Sequence, residues 1–77
     1  MNEIAVAAKI VAMFEDARKG CLKYGPSGSP YFWNKKVING HIVDSYDYLD
    51  GAAFVEIDTR GTERLSVAQA IEIISAE

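Results

Sequence analysis

The side chains equipped for chemistry here are one histidine, His41, one cysteine, Cys21, and three nearby acids, Asp47, Glu56 and Asp58. A thiol nucleophile would need Cys21 to be activated by His41. Cys21 follows the end of a predicted helix, where the dipole disfavours a thiolate. His41 and Asp44 are three residues apart on a predicted strand, so they point to opposite faces and form no dyad. Asp47, Glu56 and Asp58 share one predicted face and have the chemistry to hold a hard cation or to act as an acid–base pair. Their spacing does not resemble a calcium loop, and an open sheet face offers little desolvation to tune a carboxyl group. They read as a solvated acidic face. The sequence thus predicts no catalytic residue, no metal, no cofactor and no enzyme.

The stretch Gly25-Pro26-Ser27-Gly28-Ser29-Pro30 has the glycines of a phosphate cradle. Its spacing matches neither the P-loop nor the dinucleotide pattern, and no predicted strand precedes it. It reads as a loop, with Pro30 driving Ser29 towards extended geometry.

The elements that carry these residues follow from turns, caps and periodicity. Residues 2 to 19 read as a helix. Asn2 is a natural N-cap, Arg18 and Lys19 suit the negative end, and Gly20 suits the position just past it. Ile4, Val6, Ala7, Ile10, Val11, Met13, Phe14 and Ala17 fill half of the helix circumference. That arc is wider than one sheet contact needs. Either it covers both the sheet and a second helix, or its part around Val6, Ile10 and Met13 joins two copies of the chain as a homodimer.

Residues 31 to 65 read as four strands. Asn39-Gly40 is a hairpin signal, because both central residues of a type I′ turn need positive φ. Asp50-Gly51 is a second such signal, and Thr59-Arg60-Gly61 suits a three-residue loop. Two-residue loops at the first two turns pair Trp33 with Tyr46, Lys35 with Asp44, Val37 with Ile42, Tyr46 with Val55 and Tyr48 with Ala53. The third loop pairs Val55 with Leu65. One face then carries Trp33, Val37, Ile42, Tyr46, Tyr48, Ala53, Val55, Ile57 and Leu65, with Lys35 opposite Asp44, and is expected to be buried. Ser66 to Ala76 reads as a short helix opened by a capping box, Ser66 with Gln69, and carrying an apolar stripe of Val67, Ala70, Ile71 and Ile74.

The predicted fold is therefore α+β, in the order α-β-β-β-β-α, two layers around one core in a single domain of residues 1–77. At the level of fold this order resembles small SH3-like and other curved-sheet modules, a likeness that carries no function.

The other predicted face carries Phe32, Lys36, Asp47, Phe54, Glu56 and Asp58. An aromatic pair ringed by charges suits a partner protein better than idle surface, so these six form the expected partner-binding site. A curled sheet or the 21–30 loop folded over the rings would remove it. A net charge of -3 is unfavourable for neutralising phosphates. The nucleic-acid alternative would use Lys19, Lys23, Lys35 and Lys36. The lone cysteine excludes an intrachain disulfide and fits a cytoplasmic setting, and no apolar run is clean enough for a membrane span. The size and the lack of catalytic groups fit small regulators, toxin-neutralising proteins and phage-encoded inhibitors.

Overall fold

The structure is a computed structural model that describes residues 1–20, 22–58 and 63–76. Helix α1 spans Glu3–Ala17. The Asn2 side chain accepts the Ala5 N–H at 2.7 Å, which satisfies one of the open donors of the first turn. The helix ends at Arg18, and Lys19 and Gly20 close a turn onto Asp16 and Ala17.

Four antiparallel strands follow, in the spatial order β1-β2-β3-β4. They are β1 Leu22–Tyr24, β2 Pro30–Ile38, β3 His41–Tyr48 and β4 Ala53–Ile57. Helix α2 spans Val67–Ser75 behind the expected capping box: Ser66 Oγ accepts the Gln69 N–H at 3.1 Å, and Gln69 Oε1 accepts the Ser66 N–H at 3.0 Å. The order α-β-β-β-β-α is as the sequence predicts, but the set of strands is shifted. The Gly25–Ser29 segment is itself a hairpin turn. The Gly28 N–H donates to Gly25 O at 2.8 Å, and Gly28 takes a φ of +85° that a side chain would resist. This turn adds β1 ahead of β2. At the far end the expected fourth strand shrinks to a single bridge, Val55 to Leu65. The expected loop at Thr59, Arg60 and Gly61 lies outside the described residues, as does Cys21.

The first long hairpin has the expected register, Trp33 opposite Tyr46 and Lys35 opposite Asp44. Its turn has φ of 51° at Asn39 and 82° at Gly40. The second hairpin differs by one residue: Tyr46 faces Phe54, Ser45 faces Val55 and Val43 faces Ile57. Asp50-Gly51 is not a two-residue turn. Five residues, 48 to 52, separate the last pair, Asp47 and Ala53, and neither Asp50 nor Gly51 has positive φ. The slip turns β4 over relative to β2 and β3.

Both helices pack on the face that β4 shares with Ile38 and Val43. The core is Val6, Ile10, Met13, Ile38, Val43, Val55, Ala70 and Ile74, with Phe14, Ile57, Val67 and Ile71 packed against it. This reverses the expected burial of β2 and β3. Trp33, Val37, Ile42, Tyr46 and Tyr48 lie on the face away from the core, and Phe32, Asn34, Val43, Ser45 and Asp47 turn towards the helices. The physical reason is fit. Compact Val and Ile side chains fill the space beneath two helices, whereas Tyr and Trp keep their polar tips near water from the other face. Val6, Ile10 and Met13, expected at a dimer contact, are 0%, 0% and 2% exposed and belong to the core instead. The buried part of the wide α1 arc packs on the sheet and on α2, while Ile4 and Val11 at its margins stay exposed.

Candidate interaction surface on the open sheet face

Neither helix covers the second sheet face, and a connected set of rings occupies it. Tyr31 on β2 stacks on Tyr48 of β3, with centroids 4.8 Å apart. Tyr46 on β3 stacks on Phe54 of β4 at 4.9 Å and an interplanar angle of 12°. The diagonals Tyr31–Tyr46 and Tyr48–Phe54, at 5.8 and 6.0 Å, join the two pairs. These spacings follow from the register, because directly opposed residues on neighbouring strands stand about 5 Å apart. Each ring is half-buried by its neighbours.

Cations border the set. The Lys23 ammonium lies 5.2 Å from the Trp33 ring centre, and the Arg64 guanidinium lies 4.7 Å from that of Phe54. Glu56 is on this face and accepts a long hydrogen bond, 3.5 Å, from the Tyr46 hydroxyl. Asp44 is 2% exposed. Burial pushes the Tyr46 phenol up to about 12, and the negative charges of Glu56 and Asp44 add to the shift. Further along the face, Val37 and Ile42 sit opposite each other and are exposed. At the other end an open concavity of about 570 Å³ lies between the 25–29 turn, the β3–β4 connection and Arg64.

The six residues expected at a partner site do not share a surface. Phe54 and Glu56 lie on the open face. Asp58 follows β4 with a φ of +61°, its carboxylate accepting the Ile42 N–H and lying 3.1 Å from His41 Nδ1. Phe32, Lys36 and Asp47 lie on the helix side. Asp47 pairs with Arg18 at 2.6 Å, and the Arg18 guanidinium is 5.3 Å from the Phe32 ring centre, so these three fasten the end of α1 to the sheet. Lys36 is exposed beside Lys9 and Asp16 of α1. The expected acidic trio is thereby split, and among the described residues no three His, Cys, Asp or Glu side chains converge as metal ligands.

Trp33, Tyr46 and Tyr48, expected in the core, lie with Tyr31 on the open face instead. One signal for this is in the sequence: the rings with polar tips share one face of β2 and β3, while Ile38 and Val43 offer a compact apolar alternative on the other, which Val55 and Ile57 join once β4 slips by one residue. Comparison with protein-family models, curated proteins and solved structures finds no match for this chain. No helix among the described residues is long and apolar enough to cross a membrane.

Proposed function

We propose that this chain is a non-enzymatic protein-binding module that acts by occupying a partner's surface with its open sheet face. The observation that carries this is the connected set Tyr31, Tyr46, Tyr48 and Phe54, with Trp33 beside it opposite Tyr46, on a face that neither helix covers among the described residues. Tyr, Trp and Arg are the residues that dominate protein contact surfaces, because they bury large area at low entropic cost and keep a polar tip. A role as a small regulator or inhibitor, of cellular or phage origin, fits this mode of action. The test is affinity capture from the native host with the wild-type chain and with Tyr31→Ser/Tyr48→Ser. The double variant should lose the captured protein while its thermal unfolding stays cooperative. Capture that survives the change, but is lost when exposed Ile4 on α1 is replaced by Ser, would move the contact to the helices.

A single-stranded nucleic acid is the second reading. It is favoured by one observation: aromatic rings stand on the open face together with Lys23, Lys35 and Arg64. Two facts weigh against it. Bases need free ring faces, and here each ring already has a face against a neighbouring ring or a cation. The net charge of -3 opposes phosphate neutralisation as well. Binding of short single-stranded DNA or RNA at low salt, falling steeply as salt rises, would establish this reading over the first.

A further inference from the structure

The concavity at the Phe54 end of the ring set has a chemistry of its own. Its walls are apolar, formed by Pro26, Tyr48 and Phe54, and Arg64 and Asp50 border it. The ion pairs Arg18–Asp47, Lys19–Asp16 and His41–Asp58 leave Arg64 out. Its guanidinium is instead held by the Phe54 ring. A guanidinium held over an aromatic ring keeps its edge donors available, and those donors match a planar carboxylate through two parallel hydrogen bonds. The volume of about 570 Å³ is within the range of ordinary ligand sites.

Asp50 restricts what enters. A carboxylate on the border disfavours a densely anionic ligand, such as a phosphate chain, and favours one that also brings N–H donors. A peptide backbone beside an acidic side chain has both groups. On the reading of the open face as a protein contact, we propose that this concavity takes an extended acidic segment of the partner. The carboxylate of an Asp or Glu sits on Arg64, its apolar neighbour packs against Pro26, Tyr48 and Phe54, and a backbone N–H donates to Asp50. The adjoining rings continue the contact across the sheet.

The experiment is a selection from a random peptide display library on the intact chain. The enriched peptide is then titrated by nuclear magnetic resonance, with its acidic residues and with each replaced by the amide. Asp or Glu beside an apolar residue should dominate the enriched set. Affinity should fall about tenfold when the acid becomes the amide, the scale of one charge-assisted hydrogen-bonded pair. It should fall about equally in Arg64→Gln, and the two losses should not add. Arg64→Lys should restore only part, because an ammonium lacks the fork. Shifts should centre on Tyr48, Gly51 and Phe54.

Failure of the inference and failure of the reading beneath it give different results. Peptides that shift Tyr31, Trp33 and Tyr46 but ignore Arg64→Gln would overturn the acidic-segment proposal and leave the open-face reading standing. Enriched peptides without acidic residues, or no enrichment at all, would likewise overturn the proposal. Peptides that map only to the helices would remove both. So would a single-stranded oligonucleotide that binds the rings with steep salt dependence.

Discussion

Asn39 has two roles at once. Its φ of +51° completes the type I′ turn, and its side-chain amide donates to Ile74 O at 2.7 Å, which satisfies a carbonyl in the last turn of α2. Asn39→Gly keeps the turn and loses the cap, whereas Asn39→Ala loses the cap and strains the turn. Urea unfolding should show a loss of about 1 kcal/mol for Gly and about 2 kcal/mol for Ala. Ser45 is the opposite case. It is fully buried, and its hydroxyl has no hydrogen-bond partner among the described residues. Ser45→Ala should raise stability by about 1 kcal/mol in the same assay, since it removes a desolvated group that nothing compensates. Tyr46 sets a pH limit. Its folded-state pKa of about 12 lies above the ordinary phenol value, so its contribution is complete below pH 10. The contribution is lost as pH rises to 12, because the unfolded chain releases that proton first. Tyr46→Phe should flatten this part of an alkaline stability profile.

At the scale of elements, α1 is tied to the sheet at its C-terminal end by Arg18 and Asp47 and further back by Asn34, whose amide donates to Met13 O at 3.1 Å. The Arg18 side chain is 56% exposed, which screens the pair. A double-mutant cycle with Arg18→Ala and Asp47→Asn should give a coupling of about 0.5–1 kcal/mol. Much of this element structure was legible in the residues. Asn2, Ser66 with Gln69, and Asn39-Gly40 each specify a local geometry through their own hydrogen bonds or φ, and each is found as expected. Asp50-Gly51 misled, because the same dipeptide fits both a two-residue turn and part of a longer connection. That one-residue difference depends on packing across the sheet and not on the turn itself. The face buried by the helices was not legible for a related reason. Both parities of β2 and β3 carry enough apolar residues to serve as core, and the tie is broken by the shape of the space under α1 and α2.

For the molecule as a whole, the consequence is a small core under one sheet face. Val6, Ile10, Met13, Val43, Val55, Ala70 and Ile74 are essentially inaccessible, while Ile4 is 83% and Val11 is 52% exposed on the same helix. Ile10→Ala should therefore cost about 2–5 kcal/mol, enough to unfold much of a domain this size, whereas Ile4→Ala and Val11→Ala should each change stability by about 0.5 kcal/mol or less. Chemical denaturation of the three variants checks this. If Ile10 stood at a dimer contact instead, its loss would lower association and leave monomer stability intact.

The Asn39–Ile74 bond joins the first long hairpin to a helix that comes much later in the chain. It bears on the order of events at the ribosome. Every strand precedes Ala70 and Ile74 in the chain, so without those two residues the face around Val43 and Val55 is only half-roofed. Synthesis of the sheet therefore precedes its closure. The core can close only after residue 74 has emerged, because Ala70 and Ile74 complete it and Asn39 caps the helix that carries them.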